Sequence, residues 1–201
     1  MTKSKHTAPS ARERILKTAK SRFATAGFDG TSTRQIAEDA DVAQSLLLYH
    51  FKSKDAIWRA VMDMLFGFAD QIADDDIALS ELSIEDQLMF GIRAFVDLCA
   101  EDPDLHRLMT LEGRTQSDRL TWLIENHLRR YFEPTRSLIM QGQQTGLVRQ
   151  GDPTMLYYSI IAIAGTIFSF EPEMTLLDPG NKAQDREQVL NLIRSMLFND
   201  R

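Results

Sequence analysis

The chain has 201 residues, 43% of them apolar, and a single cysteine. That length allows one large domain or a small domain fused to a larger one, with a real hydrophobic core. One cysteine, Cys99, excludes an internal disulfide framework and suits a reducing cytoplasm. The polar N-terminus is unlike a signal peptide, and the longest apolar run, residues 155–170, is shorter than the roughly 20 residues of a membrane span. We therefore expect a cytoplasmic protein.

The net charge of −6 is unevenly distributed. Residues 1–60 hold 11 Lys/Arg and 6 Asp/Glu, which gives a net charge of +5. Residues 61–201 hold 12 Lys/Arg and 23 Asp/Glu, which gives a net charge of −11. A basic N-terminal part attached to an acidic remainder predicts affinity for phosphates at one end of the chain and repulsion of DNA elsewhere. Chance clustering of charge is the alternative.

The first predicted helix begins at Ser10, which forms a capping box with Glu13, and ends at Gly27. Its apolar face is formed by residues at helical spacing, namely Ile15, Leu16, Ala19 and Phe23. A second capping box, Ser32 with Gln35, opens a helix that runs to about Ala40.

A third helix is predicted over residues 44–51, directly after a tight turn. Two short helices joined in this way are typical of a helix-turn-helix, so residues 31–54 predict a DNA-reading motif whose second helix enters the major groove. Val42, Leu47 and Phe51 are expected to face inward and fix this helix.

The outward face of the third helix is then expected to contact DNA through Gln44, Ser45, Leu46 and Tyr49. A tyrosine can contact a phosphate or stack at a base edge, and Leu46 can contact a thymine methyl group. The alternative for Leu46 is that it packs inside the head. Leu48 is equally compatible with packing inside and with a position on the surface.

Residues around this helix complete the predicted DNA contacts. Arg34 is a candidate for guanine O6 and N7 or for a phosphate, with a solvated arginine as the alternative. The predicted phosphate contacts that position the motif are Thr33, His50, Lys52 and Lys54. For His50 a structural role is the alternative.

Every later segment has helical periodicity. Ser53 caps a fourth helix that fades near Asp74-Asp75-Asp76, a run without the ligand spacing and glycine of a calcium loop, so no metal site is predicted. Further helices are expected over 84–100, 105–111, 117–142 with a kink at Pro134, 153–170 after an Asp152 cap, and 189–197. We predict an all-α fold of about nine helices, with a DNA-binding domain at 1–54 and a helical body at 55–201.

The N-terminal residues resemble the TetR family of bacterial transcriptional regulators. The family pattern is matched by Arg14-Ile15-Leu16, Phe23, Gly27-Phe28, Thr31-Ser32, Ile36-Ala37, Ala40, Val42, Leu47, His50-Phe51 and Lys54. Three positions depart from it. Asp41 replaces the usual turn glycine, Ala43 replaces a capping Ser or Thr, and Leu48 stands where the family often has an aromatic residue, with Tyr49 one place later.

The resemblance implies a homodimer with a three-helix DNA-binding head and a C-terminal body that binds a small molecule and forms the dimer. Effector binding would change the spacing of the two heads and release a pseudo-palindromic double-stranded DNA operator. We expect the effector to be largely apolar, in a cavity bounded by helices 84–100, 105–111 and 117–142.

Candidate effector contacts combine adaptable, aromatic and polar side chains: Met89, Arg93, Met109, Trp122, His127, Tyr131 and Phe168, with Cys99 also considered. For each of them ordinary core packing is the alternative, and Arg93 could instead pair with Asp97 four residues on. The dimer interface is predicted on the last two long helices, at Tyr158, Ile163, Ile167, Leu190, Ile193 and Leu197.

These features favour a ligand-responsive regulator, most simply a repressor released by its effector, although activation is equally compatible with the residues. A constitutive or architectural DNA binder without an effector is the alternative. An enzyme is not predicted, because the chain lacks a glycine-rich phosphate loop, a nucleophile elbow and a His-rich metal helix, and no cofactor is expected.

Overall fold

The computed structural model describes residues 9–73, 81–180 and 185–199, with side chains described outside 68–73. The acidic run at 74–76 lies outside these residues. The described chain divides into two compact units, Met1–Leu65, called the head below, and Phe66–Arg201, called the body.

The head contains α1 (Ala11–Ala26), α2 (Thr33–Asp39), α3 (Gln44–His50) and the first part of α4 (Lys54–Ala73). Both predicted capping boxes are present, at the starts of α1 and α2. Ala43 precedes α3 without any side-chain cap, as expected for alanine. The buried side chains come from every helix and include Ile15, Phe23, Ile36, Leu47, Ile57 and Trp58.

The division at Leu65 differs from the predicted domain boundary before residue 55. The first half of α4 buries Ile57, Trp58, Val61 and Met62 and belongs to the head. A capping signal such as Ser53 marks where a helix begins, which need not be where a domain ends.

The body contains α5 (Ile84–Glu101), α6 (Pro103–Glu112), α7 (Asp118–Leu123), a π-helical turn (Ile124–Leu128), α8 (Arg129–Gln144), α9 (Pro153–Ser169), α10 (Glu171–Leu177) and α11 (Arg186–Leu197). If the run from α7 through α8 counts as one helix, the described residues hold ten helices and no strand, only an isolated β-bridge between Val148 and Phe198. The all-α prediction is confirmed.

Two features of the body differ from expectation. The long helix contains a π turn that was not predicted, at Ile124–Leu128, while Pro134 lies inside α8 and the kink expected there stays a prediction. Helix α8 continues past Gly142 to Gln144. A Cβ added at Gly142 would overlap the Val148 side chain, so glycine allows the following segment to pack closely.

Helices α5, α8, α9 and α11 enclose the body core. Its buried residues include Leu88, Ile92, Val96, Ile139, Ile160, Ala164, Phe168, Val189, Leu190, Ile193 and Leu197. Ion pairs join α5 to α11 at the surface, between Arg93 and Glu187 (2.6 Å), between Arg186 and Asp97 (2.9 Å), and between Arg194 and Glu85.

Helix α6 packs tightly against α9 at Gly165. A Cβ on Gly165 would overlap the His106 ring, so the imidazole occupies the space that a side chain at this position would need. Partial burial lowers the pKa of His106 through desolvation. The neighbouring Arg107 donates from Nη2 to the Ser169 carbonyl at 3.1 Å, which strengthens the contact.

Candidate functional site

The turn between α2 and α3 is set by one backbone conformation and one arginine. Asp41 has φ 51°, a left-handed conformation that aspartate tolerates better than most residues, as predicted. Arg14 of α1 donates from Nε to the Ala40 carbonyl and from Nη2 to the Asp41 carbonyl, each at 3.1 Å. These contacts hold the end of α2 against α1. They were not predicted, because the partners lie 26 and 27 residues apart in the chain.

Helix α3 is attached to the head through its predicted inner face. Leu47 is fully buried, Phe51 is 5% exposed and Val42 is half-buried. The four residues predicted to face outward, Gln44, Ser45, Leu46 and Tyr49, are all exposed, and Tyr49 is 81% exposed. A free helix face of this kind can enter a major groove.

Leu48 lies on the exposed side of α3, which settles the open alternative in favour of the surface. Its exposed fraction is 44%, close to the 38% of Leu46. The outer surface of α3 therefore carries two leucines and a tyrosine. The sequence pattern placed Leu46 and Tyr49 on this surface but left Leu48 undecided, because a helix of seven residues gives little periodicity to judge by.

The flanking residues differ in their availability for DNA. Thr33 is half-buried, whereas His50 and Lys52 are exposed. The His50 ring lies edge-on to Tyr49, with ring centroids 5.5 Å apart. Arg34 forms an ion pair with Glu38 one turn later, Nε to Oε1 2.8 Å, which raises the pKa of the guanidinium. Arg34 is thus partly neutralised on its own helix.

Lys54 is placed differently from the prediction. Its Nζ donates to the carbonyl oxygens of Phe28 and Thr31, both at 2.9 Å, and lies 4.2 Å from the Phe28 ring centroid. These contacts join the start of α4 to the loop before α2. The prediction of Lys54 as a phosphate contact is corrected accordingly: its charge is already directed to backbone carbonyls, and it positions the motif from within.

In the body, an aromatic cluster surrounds the π turn. It is formed by Phe66, Trp122, His127 and Tyr131, and is called the aromatic cluster below. His127 is 8% exposed; its ring stacks on Phe66 at 4.9 Å between centroids and meets Trp122 edge-on at 5.3 Å. Tyr131 stacks on Phe66 at 6.2 Å. The extra residue of a π turn shifts the helix register, and such turns are frequent at functional sites.

The structure separates the other effector candidates from this cluster. Arg93 is exposed and pairs with Glu187 rather than with Asp97, and that pairing raises its pKa. Phe168 belongs to the body core and Met89 packs against it. An ion pair accounts for the position of Arg93 and core packing for those of Phe168 and Met89, so effector binding by these three residues stays a prediction. Met109 is half-buried on α6.

Cys99 is fully buried in the body core. Burial raises the pKa of its thiol to about 12, so the thiolate that a nucleophile or a metal ligand requires is scarce at neutral pH. The cysteine is a core residue.

The residues of the predicted dimer interface fall into two groups, one buried and one at the surface. Leu190 is 2% exposed, and Ile193 and Leu197 are fully buried in the protomer's own core, so this part of the predicted interface is corrected. Helix α11 packs against α5 and α9, and its buried residues belong to the body core. On α9, Tyr158 is 59% exposed, while Ile163 and Ile167 are half-buried. Met155, one turn before Tyr158, is 68% exposed.

Within the described residues, no group of three or more histidine, cysteine or acidic side chains could hold a metal ion. Over the same part of the chain, no single helix is long and apolar enough to cross a membrane; the bent pair α9 and α10, which meet at 67°, passes that test by length and composition alone.

Two family models match the chain. The model of bacterial regulatory proteins of the tetR family matches residues 15–61, and the tetracyclin repressor-like C-terminal domain matches residues 85–194. The regulator RutR of Escherichia coli strain K12 is 28% identical over 164 residues, which are 80% of this chain and 74% of RutR. The repressor KstR2 of Mycolicibacterium smegmatis is 38% identical over 69 residues, 32% of this chain and 34% of KstR2.

Solved structures share the fold over nearly the whole chain. The hemolysin II regulator HlyIIR superposes with a TM-score of 0.73 at 21% identity, over 94% of this chain and 98% of HlyIIR. AibR, solved with isovaleryl coenzyme A and operator DNA, superposes with a TM-score of 0.71 at 19% identity, over 94% of this chain and 98% of AibR. Since the C-terminal family model alone covers more than half of the sequence, the chain belongs to the TetR family of bacterial transcriptional regulators.

Proposed function

We propose that this TetR-family regulator is a repressor that leaves its DNA operator when a small-molecule effector binds its body. The observation that carries the DNA-binding half of the proposal is the outward face of α3, which is exposed to solvent while Leu47 and Phe51 on its other side are buried in the head. A family of DNA-binding regulators also agrees with the prediction of a non-enzymatic protein. We place the protein in the cytoplasm, where operators are found.

The DNA contacts fall into two classes. Gln44, Ser45, Leu46 and Tyr49 are proposed to face base edges or nearby phosphates, and Thr33, Arg34, His50 and Lys52 to contact the backbone. Lys54 supports them by holding the loop before α2. The +5 charge of residues 1–60 supplies the attraction that is independent of DNA sequence.

Two copies of the chain are proposed to pair through α9. The exposed Met155 and Tyr158 lie one turn apart on that helix, and Ile163 and Ile167 further along it are half-buried. Two large apolar side chains exposed one turn apart on a surface helix favour burial against a second copy. Two-fold symmetry would present two α3 helices to half-sites about one helical turn, ~34 Å, apart or somewhat more.

The effector is proposed to bind at the aromatic cluster. Trp122, His127 and Tyr131 supply apolar surface with a few polar atoms, and Met109 is a further candidate on α6. Phe66 belongs to α4, the helix that starts directly after α3 in the sequence. A ligand that separates Phe66 from His127 would therefore act on the helix that continues into the head. AibR, of the same fold, was solved with both an acyl coenzyme A and operator DNA.

The free energy that the effector must supply follows from the populations of the DNA-bound and released states. Moving the protein from 1:99 to 99:1 in favour of the released state requires about 5.5 kcal/mol of differential effector binding. A small apolar ligand that replaces the Phe66–His127 stack can supply much of this through burial of its own surface.

A constitutive DNA binder without an effector is the second candidate. It is favoured by the close packing of the aromatic cluster, in which ring centroids lie 4.9 to 6.2 Å apart, the ordinary spacing of packed rings. The two candidates make the same DNA contacts and differ only in the response of the body.

The test has two stages. Purified protein selects binding sites from a library of random DNA duplexes; recovery of a pseudo-palindromic sequence supports the operator proposal, and recovery of no preferred sequence contradicts it. A metabolite library is then screened by thermal shift, and each hit is added to the protein bound to the selected duplex.

An effector should raise the melting temperature, release the DNA and lose its effect in Trp122→Ala. The matched control is Phe90→Ala, because Phe90 is an aromatic residue of the body that is 38% exposed on α5 and lies outside the aromatic cluster. Compounds that stabilise both variants equally, or that never release DNA, would favour the constitutive binder.

A further inference from the structure

Helix α3 is rich in leucine and contains neither lysine nor arginine. Its seven residues, Gln44–His50, include no lysine or arginine but three leucines, of which only Leu47 is buried. Leu46 and Leu48 expose 38% and 44% of their surface to solvent. Two exposed leucines within three residues form an apolar surface that the described residues of the head leave uncovered.

Helix geometry places the two leucines on opposite flanks of the outward face. At 100° per residue, Ser45 and Tyr49 lie near the centre of this face, opposite Leu47 and Phe51. Leu46 lies on one flank beside His50, and Leu48 lies on the other flank, one turn after Gln44. The two methyl-bearing side chains can therefore reach different base pairs of the same half-site.

The major groove offers a single apolar feature that such side chains can bind. Thymine alone presents a methyl group there, whereas guanine presents O6 and N7, which are most often contacted by arginine or lysine. Helix α3 has neither residue, and the nearest arginine of α2, Arg34, is paired with Glu38. Glutamine, in turn, suits adenine N6 and N7.

We infer that α3 reads A·T base pairs, with Leu46 and Leu48 packed against thymine methyl groups and Gln44 bonded to adenine. This inference rests on the proposed function and names the bases that its reading helix selects. Leu48 is thereby a specificity-determining residue at the position where the family often has an aromatic one. The apolar flanks are exposed in the free protein because their partner is the thymine methyl group.

The experiment uses the duplex recovered by selection from a random library. Each thymine of the half-site is replaced in turn by deoxyuridine, which keeps every hydrogen-bonding group and removes only the methyl group. Fluorescence anisotropy should show about fourfold weaker binding for each methyl group that a leucine covers, the effect of about one buried carbon. Thymines outside the reading helix should tolerate the exchange.

Protein variants assign each methyl group to its leucine. Leu46→Ala should abolish the thymine-to-uracil discrimination at one position of the half-site and Leu48→Ala at another, since no side chain remains to contact the methyl group. Both positions are exposed, so the fold should tolerate alanine. Leu111→Ala is the matched control, because Leu111 is 41% exposed on α6 in the body, and it should keep the full discrimination at both positions.

Two results would overturn the inference while leaving operator binding intact. One is a selected half-site whose contacted pairs are all G·C. The other is a half-site with A·T pairs in which the expected methyl effect fails. In that case either the protein binds the deoxyuridine duplex as tightly as the thymine duplex, or Leu46→Ala and Leu48→Ala both keep the thymine-to-uracil discrimination. A library that yields no preferred sequence would contradict the proposed function itself and the inference with it.

Discussion

The reading helix α3 and the last helix α11 use similar side chains in opposite ways. In the head, α3 exposes Leu46, Leu48 and Tyr49 and buries Leu47 alone among its leucines. In the body, α11 buries Leu190, Ile193 and Leu197 and exposes Leu192. An apolar residue at helical spacing therefore does not by itself indicate an interface or a core. The two helices differ in number: α3 leaves three large apolar side chains uncovered within four residues, whereas α11 leaves only Leu192 exposed.

The largest expected effect compares two adjacent leucines of α3. Leu47→Ala should lower the free energy of unfolding by about 2–5 kcal/mol, because it removes a fully buried side chain and leaves a cavity. Leu48→Ala should change it by at most about 0.5 kcal/mol, since the residue is exposed. Urea denaturation of both variants measures the difference. Equal losses would mean that α3 is rotated from the orientation described here.

The dimer face offers a second comparison, between α9 and α11. Tyr158→Glu should give a folded monomer, with self-association weakened about 100-fold or more, because two like charges would face each other across the two-fold axis. Ile193→Glu should instead unfold the body, because a charge would enter the core. Sedimentation velocity and circular dichroism separate the two outcomes. A folded Ile193→Glu monomer would restore the original interface prediction for α11.

Two glycines of the body provide a matched test of helix packing. Gly165→Ala should lower stability by about 1–3 kcal/mol, because its Cβ would overlap the His106 ring. Gly91→Ala on α5 meets nothing within 4 Å and should stabilise the protein by about 0.5–1 kcal/mol through helix propensity. Thermal unfolding of both variants measures the signs. A neutral Gly165→Ala would contradict the close approach of α6 to α9.

Two lysines that follow α3 are expected to have different roles: Lys54 stabilises the head, and Lys52 contacts DNA. Lys54→Met should cost about 1 kcal/mol of stability, because it removes two hydrogen bonds to the loop before α2. Lys52→Met should leave stability unchanged but reduce the slope of log K against log salt by about 1, the signature of one lost phosphate contact. A smaller salt slope for Lys54→Met, with a loss of stability for Lys52→Met, would identify Lys54 as the phosphate contact.

The head was largely predictable because its determinants are local. The Ser10–Glu13 and Ser32–Gln35 capping boxes and the tolerance of Asp41 for a left-handed turn all act within a few residues. The contacts that escaped prediction, those of Arg14 and Lys54, join residues more than 20 positions apart. Their targets are backbone carbonyls, which every residue carries, so no pattern of residue types marks them.

The body was predictable in class but not in its details. Helical periodicity predicted its helices, yet it could not tell which neighbour each apolar stripe would face. For that reason Leu190, Ile193, Leu197, Met89 and Phe168 were assigned to sites although they form or adjoin the core. The short helix α10 and the π turn were missed, since neither follows from a hydrophobic period of 3.6 residues.

The central claim is that the exposed face of α3 gives this regulator its DNA specificity. Its most direct test is an anisotropy titration of wild type and Tyr49→Ala. Both proteins are titrated on the selected operator and on a random duplex, at several salt concentrations. Wild type should bind the operator at least about 10³-fold more tightly than the random duplex, with both affinities falling steeply as salt rises. Tyr49→Ala should lose about tenfold on the operator and little on the random duplex. Equal losses on the two duplexes, or none on either, would contradict the account.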